Sequence, residues 1–401
     1  MVIIGAGMAG ARACINLRAA DYAGPITLIG EEVHLPYDRP PLSKASITDA
    51  AEPSPIWLLD ESIVASLKVD AKLGVAASAI NRAEKTVTLS DGTKISYDKL
   101  LLATGAKPRH LPGPGGEHAL TLRDHRDTLE LRQRFKPGKA VVVIGGGFIG
   151  LEVASSARKL GCAVTLIEMQ LRILMRGVPE AIAEIVHARH VLAGVNMIVG
   201  TGIAAIAAHS VTLRDGREIK ADTIIAGIGA APELMLAQAA GLVIDNGIAC
   251  TAQLQSSDPD IYAAGDCCSF VHGHFGQRRL RLEAWRSAQE QAATAVTNML
   301  GGTKAHSNIP WFWSDQYDLS LQITGMADMG PHTVARRPGP DTLLLFHLAQ
   351  DGTLMGASGI GPGNSIARDV KLAEMMIAKS AKPVADALAD STIQLKTLLK
   401  G

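Results

Sequence analysis

Two stretches of this chain, VIIGAGMAG at residues 2–10 and VVVIGGGFIG at residues 141–150, each run an apolar β-type segment into a GxGxxG turn. In such a turn the first glycine permits the tight bend, the second lets backbone N–H groups approach a pyrophosphate, and the third lets the next helix pack on the strand. The helix N-terminus adds partial positive charge where the phosphates would lie. Both copies lead to an acid at the end of the next strand: Glu31, 26 positions after Gly5, and Glu168, 23 positions after Gly145. A carboxylate there accepts both hydroxyls of an adenosine ribose and repels a 2′-phosphate, which favours NAD over NADP at a nicotinamide site. Arg172 and Arg176 stand close enough in sequence to leave that preference open; they can equally cap a helix or face water. A chain with two such turns is suited to grip two dinucleotides.

The surrounding pattern supports this. A strand at residues 2–4, a helix from Ala11 to Ala20 and a strand from Ile26 to Ile29 make one βαβ unit. Val87 to Leu89, Asp91-Gly92 and Ile95 signal a hairpin, and Leu100 to Leu102 a buried strand. From Val141 the order restarts with a helix from Leu151 to Leu160, a strand from Val164 to Ile167, and a second hairpin and closing strand over residues 211–229. The first unit resumes near Ile261. After about Ala305, PWFWSDQYDLSLQITG and LLLFHLAQDGTLMGAS read as antiparallel strands, followed by a helix from about Ser365 to Ala378. The expected fold is α/β: two Rossmann-like dinucleotide-binding domains, the second inserted in the first, plus a C-terminal α+β domain. The expected limits are residues 1–105 with 232–305, residues 106–231, and residues 306–401.

The 401 residues are 47% hydrophobic with 40 glycines, enough for packed cores joined by tight turns. Thirty-nine basic residues balance 39 acidic ones, so no whole-molecule field would draw in nucleic acid or an anionic membrane. No apolar run reaches the roughly 18 residues a bilayer requires, and no charged stretch leads into an apolar one at the N-terminus, so a cytoplasmic protein is expected. Cys14, Cys162, Cys250, Cys267 and Cys268 contain no C-x-x-C and no zinc-like spacing. The adjacent Cys267 and Cys268 are ill placed to close a strained ring, and read as small half-buried side chains. His187 with His190, and His272 with His274, lack a third ligand nearby, so no metal is expected.

HLPYDRPPLSK places Arg39 and Lys44 around three prolines, a rigid loop suited to lie against a flat ring. Glu152, two positions into the expected helix, is an odd charge for a helix that packs on a sheet; it can answer the macrodipole or pair with a buried cation.

Taken together, VIIGAGMAG, YDRPPLSK, LLLATGAKPR, VVVIGGGFIGLEVA, AGIGAAPE, DIYAAGDC, LEAWRSAQEQA and PWFWSDQYDLSLQITG resemble the FAD-dependent, NADH-linked ferredoxin reductases of bacterial Rieske dioxygenase and haem-thiolate monooxygenase systems. The resemblance runs from about residue 2 to about residue 380. It implies that the first turn binds FAD, with Gly5, Gly7, Ala9 and Gly10 at the pyrophosphate, Glu31 on the ribose and Ala77 beside the adenine. Arg39, Lys44 and Arg123 would be flavin contacts, Asp266 would meet the ribityl chain or pyrophosphate, and Trp285 would lie near the isoalloxazine. The second turn would hold NAD(H) through Gly145, Gly147, Ile149, Gly150 and Glu168. Thr104, Gly105, Phe148, Arg176, Gly229, Gly265, Glu283 and Ala284 complete the implied cofactor-binding set. Glu152 would face the nicotinamide and pair with Lys44, these two being the catalytic residues of the resemblance.

The cofactors then carry the chemistry while the protein supplies distance, angle and exclusion of water. With no thiol relay in the sequence, electrons would leave singly to an acidic [2Fe-2S] ferredoxin, and Arg278, Arg279, Arg281 and Arg286 offer a basic docking patch or a solvated strand of alternating charge. Trp311, Phe312 and Trp313 would cover the flavin and form part of the carrier surface, or serve a core. Two other readings stay open: a reductase of rubredoxin or a small acceptor, and an NADH sensor like the apoptosis-inducing flavoproteins. Either a monomer or a homodimer is compatible.

Overall fold

A computed structural model describes residues 1–51 and 53–400 and divides into two compact units. The first comprises residues 1–38, 55–107 and 231–308; the second comprises residues 39–54, 108–230 and 309–401.

The first unit is built on a five-stranded parallel sheet in the order Ile261–Ala263, Leu100–Leu102, Val2–Ile4, Ile26–Gly30, Val69–Leu73. Ile3 lies between Leu28 and Leu101 in the register, and all three side chains are fully buried. Continuous apolar runs of this kind belong to strands covered on both faces. The helix Met8–Ala19 packs against the helix Trp285–Met299. An antiparallel meander, Ala77–Asn81, Thr86–Leu89 and Lys94–Ser96, contains the hairpin expected at Asp91-Gly92.

The second unit repeats the plan. Its parallel sheet runs Asn196–Val199, Ala163–Glu168, Ala140–Ile144, Thr223–Ala226, Ala119–Leu120, again with the glycine-turn strand in the middle. The same unit holds an antiparallel sheet in the order Trp311–Gln316, Leu319–Gly325, Leu354–Pro362, Thr342–Leu348, His332–Gly339, with the helix Ala367–Ala378 against it. One core runs through both sheets, joining Val143, Leu151 and Leu166 to Leu321, Leu343 and Ile360. The chain has the mixed α/β architecture with parallel nucleotide sheets that its sequence predicts.

Two local expectations change. Both nucleotide helices begin at the fourth residue of their turn, at Met8 and Phe148, rather than at Ala11 and Leu151. Glycine-rich sequence dilutes the apolar period that marks a helix, so sequence pattern finds the start one turn late. The proline segment is also not a loop: Pro40–Ser43 is a 3-10 turn that runs into a short helix, Ala45–Thr48. Proline at the first helical positions costs no hydrogen bond, because those N–H groups have no partner inside the helix.

Candidate functional site

In the first unit the three glycines of the turn do three different things. Gly5 has φ +113°, and a Cβ there would lie 2.1 Å from the Ala103 carbonyl oxygen. A Cβ on Gly10 would lie 2.0 Å from the Gly5 carbonyl oxygen, so only glycine lets the helix close on the strand. Gly7 differs: within 4 Å of its Cβ position there is nothing. It is the extended N-cap of Met8–Ala19, and no side chain caps that helix. The N-terminal N–H groups therefore have neither an intrahelical nor a side-chain acceptor, in front of open space, an arrangement that fits an oxyanion from outside.

Of the other expected residues of this unit, Thr104 and Gly265 lie beside the turn. A Cβ on Gly265 would sit 3.4 Å from that of Ala9, so these two segments touch. Gly265 N–H donates to Gln291 at 2.9 Å, and Arg281 donates to the Asp266 carbonyl at 3.3 Å. Thr104 donates to the Glu233 carbonyl at 2.8 Å, while the Gly105 carbonyl accepts from Glu233 N–H at 2.9 Å. Glu31 is 70% exposed, with Lys107 at 3.6 Å. Ala77 opens its strand opposite Leu89. Glu283 pairs with Arg281 at 2.5 Å, and Ala284 is the extended N-cap that brings Trp285 onto its helix. Trp285 Nε1 donates to Asp38 Oδ1 at 2.6 Å, a partner that sequence reasoning missed.

The second unit shows the same division of labour. Gly145 has φ +110° and its Cβ would meet the Gly227 carbonyl oxygen at 2.4 Å; that of Gly150 would meet the Gly145 carbonyl oxygen at 2.1 Å. Gly147 has only the Gly227 oxygen, at 3.9 Å, near its Cβ position, and again no side chain caps the helix. Ile149 is 47% exposed at this end, whereas Phe148 packs on Phe312 at 4.4 Å between ring centres. Glu168 accepts from Gly146 N–H at 2.6 Å and Gln170 N–H at 2.7 Å, so its carboxylate is fixed at the end of its strand. Arg172 donates to the carbonyls of Ile173 and Val178, both at 3.1 Å, so it has a structural task. The Arg176 guanidinium lies beside Gly229, 3.5 Å from the position of its Cβ.

The centre of this unit is Glu152, the fifth residue of the helix Phe148–Lys159 and 4% exposed. Lys44 Nζ stands 2.7 Å from Oε2, Ser43 donates to the same oxygen at 2.5 Å, and Ser314 donates to Oε1 at 2.6 Å. An ion pair and two hydroxyls thus answer the cost of burying the charge. Sequence reading found the pair but neither serine. Ser314 carries a usable signal, since it alternates with the stacked Trp311 and Trp313 and shares its strand face with Phe312.

The Lys44 segment is itself held in place. Ser156 donates to the Ser43 carbonyl at 2.7 Å and Thr128 to that of Leu42 at 3.2 Å. Arg132 donates to the carbonyls of Ile47 at 2.9 Å, Asp49 at 2.6 Å and Ala51 at 3.0 Å, closing the end of the short helix. Arg39 donates to the Arg123 carbonyl at 2.6 Å, and Arg123 N–H to Asp127 at 2.8 Å.

The family described as pyridine nucleotide-disulphide oxidoreductase matches residues 1–292, and the family described as reductase C-terminal matches residues 311–399. The chain belongs to the pyridine nucleotide-disulphide oxidoreductase family. This oxidoreductase is 40% identical over 405 residues to the ferredoxin–NAD(+) reductase component of an anthranilate 1,2-dioxygenase system from Burkholderia cepacia, covering 99% of this chain and 98% of that one. It is 39% identical over 332 residues to a rubredoxin–NAD(+) reductase from Pseudomonas putida, covering 81% and 86%. Among solved structures it is similar to the reductase of a covalent putidaredoxin reductase–putidaredoxin complex, with a TM-score of 0.92 and 32% identity over 100% of this chain and 97% of that chain.

In this oxidoreductase all five cysteines are free and buried. Cys267 and Cys268 are 0% exposed rather than half-buried, and burial pushes the Cys267 thiol up to about 11, so it is an inert packing group. Among the described residues no group of three His, Cys, Asp or Glu side chains could hold a metal ion. His190 is buried against Gln316 and Tyr317, and His272 Nε2 donates to the Asn308 carbonyl at 3.0 Å. No helix among the described residues is long and apolar enough to cross a membrane. Arg279 and Arg281 do not form a simple solvated strand: Arg279 donates to the Cys250 and Ser269 carbonyls at 3.1 and 2.7 Å, and Arg281 is only 14% exposed.

Proposed function

We propose that this oxidoreductase takes hydride from NADH onto FAD and passes single electrons to a [2Fe-2S] ferredoxin that supplies an oxygenase. The observation that carries the reading is the pair of glycine turns, each with an open central glycine and an uncapped helix end. Names of relatives support the electron acceptor, and the lack of a C-x-x-C pair among five buried cysteines agrees with an acceptor that is not a disulfide.

In this reading residues 1–105 and 232–305 form the FAD-binding domain, residues 106–231 the NAD-binding domain, and residues 306–401 the C-terminal domain. Gly5, Gly7, Ala9, Gly10 and Gly265 shape the FAD pyrophosphate cradle, while Glu31 takes the ribose and Asp266 and Trp285 lie toward the flavin. Gly145, Gly147 and Gly150 cradle the NADH pyrophosphate, and Glu168 takes its ribose. Lys44 and the two serines fix the Glu152 carboxylate, which lets it hold the nicotinamide amide as a fixed acceptor. For the ferredoxin, Arg278 is the exposed member of the basic segment, Arg279 and Arg281 are its partly buried supports, and Trp313 is a further candidate contact.

The test is anaerobic. The flavin-loaded protein is mixed with NADH, and the acceptor is then added. Bleaching by NADH followed by fast reoxidation with a [2Fe-2S] ferredoxin is expected; a flavin that NADH cannot bleach overturns the reading. The 39% identity to a rubredoxin reductase favours rubredoxin as the second acceptor to try. Faster turnover with rubredoxin than with any ferredoxin of the same genome would replace the first acceptor by the second.

A further inference from the structure

Beyond Ser314 a row of buried polar side chains continues away from Glu152, and no step above uses it. Ser314 Oγ accepts from Gln316 Nε2 at 3.1 Å, Gln316 Oε1 lies 2.8 Å from His190 Nε2, and His190 Nδ1 lies 3.3 Å from the Tyr317 hydroxyl. Ser314, Gln316 and His190 are 1%, 6% and 0% exposed.

The chemistry of each group fixes the direction of every hydrogen. An ionised carboxylate only accepts, so the Ser314 hydroxyl donates to Glu152 and its lone pair takes the Gln316 N–H. The Gln316 carbonyl then faces His190, whose Nε2 must carry the proton, leaving Nδ1 to accept from Tyr317. All four donors point toward Glu152. This tautomer requires a neutral ring, and burial lowers the His190 pKa to about 4.

We propose that Ser314, Gln316 and His190 are positioning residues that hold the Glu152 carboxylate in one orientation through an aligned hydrogen-bond row. The proposal rests on the reading that Glu152 acts beside the nicotinamide. Donors aligned in a low-dielectric interior polarise one another, so the row stabilises negative charge at its end more than one hydroxyl would. It orients and does not conduct, because an amide cannot pass a proton along without becoming its imidic acid. Lys44 faces Glu152; His187 and Arg189 share the His190 helix. Arg189 lies over the Tyr317 ring at 4.4 Å and pairs with Asp318 at 2.6 Å, which anchors the head of the row, and Ser155 also reaches the Tyr317 hydroxyl.

Gln316→Met removes both amide contacts at similar volume. In the flavin-loaded enzyme under anaerobic stopped flow, the limiting rate of bleaching by NADH should fall about fivefold, the worth of one hydrogen bond between neutral groups. Half-saturation by NADH should stay within about twofold, since the loss is in orientation and not in uniform binding. Ser314→Ala should match it, the double variant should be no slower than either, and Ser314→Thr, which keeps the hydroxyl, should retain the rate. A second readout needs no NADH: imidazole nitrogen NMR of the flavin-loaded enzyme should show His190 protonated at Nε2, with a proton shift that responds to Glu152→Gln and loses that response in the Gln316→Met background. Protonation at Nδ1, an unchanged response in that background, or additive rate losses would overturn the proposal. Should NADH fail to bleach the parent enzyme, the functional reading falls, and the NMR comparison still decides whether the row exists.

Discussion

Lys44 Nζ and Glu152 Oε2 stand 108 positions apart in sequence and 2.7 Å apart in space, with the lysine partly open to solvent and the glutamate buried. Such a pair costs desolvation on both sides, and its geometry persists because the 39–54 segment is stitched to the neighbouring helices by Thr128, Arg132 and Ser156.

Removing one partner should therefore be worse than removing both charges. Lys44→Met leaves a buried carboxylate with hydroxyls alone, and should lower stability by about 3 kcal/mol in denaturant unfolding. Combining it with Glu152→Gln should restore most of that loss. Additive destabilisation in the double variant would contradict this account.

The glycine turns predict two different failures. Gly5→Ala forces a side chain into positive φ against the Ala103 carbonyl and should give little folded protein. Gly7→Ala meets no protein atom within 4 Å, so the chain should fold and instead lose flavin on dilution. Circular dichroism and flavin absorbance after gel filtration separate the two. Gly147→Ala should also fold, but it should keep its flavin while the half-saturation for NADH rises.

Three buried histidines predict a pH window. Burial lowers His190 and His347 to about 4 and His306 to about 3, against an ordinary value near 6.5. In the unfolded chain they take up protons as pH falls through 6.5, while in the folded chain they stay neutral until their lowered values. Stability from these groups is full above pH 6.5 and is lost as pH falls toward 4, by about 1.4 kcal/mol per pH unit for each histidine that titrates only when unfolded. Urea midpoints measured from pH 7.5 to 5 should decline, and His306→Gln should flatten the curve.

Coenzyme choice should follow Glu168. Its carboxylate is fixed by two backbone N–H groups, and Arg172 is committed to two carbonyls, so neither welcomes a 2′-phosphate. NADPH should reduce the flavin roughly 100-fold less efficiently than NADH, and Glu168→Ala should narrow that ratio to about tenfold, as expected for loss of a charge-assisted contact. Equal kcat/KM for both coenzymes in the parent enzyme would refute it.

Much of the fold was legible because its determinants are local. The glycine turns, the buried runs Val2–Ile4 and Ala140–Ile144, and the acid closing each βαβ unit all sit within about 30 residues of one another. The site was legible only in part. Ser43, Ser314, Gln316 and His190 acquire meaning from contacts between segments more than 100 positions apart, which no periodicity records. The same holds for Arg279, whose carbonyl partner Cys250 comes from a strand 29 positions earlier. A sequence reader sees a charge there and assigns it to the surface; the fold turns it inward to satisfy backbone oxygens.

The way the two units share the chain bears on how the protein is made. The second unit's parallel sheet uses residues 119–226, all of which leave the ribosome before the strand Ile261–Ala263 that completes the first unit's sheet. The earlier-synthesised Leu100–Leu102 must therefore wait for its outer neighbour, leaving the sheet one strand short at an edge, while a later portion of the polypeptide can already pair its strands. Chaperone capture of nascent chains should peak at lengths between these two points and subside once residue 263 has emerged.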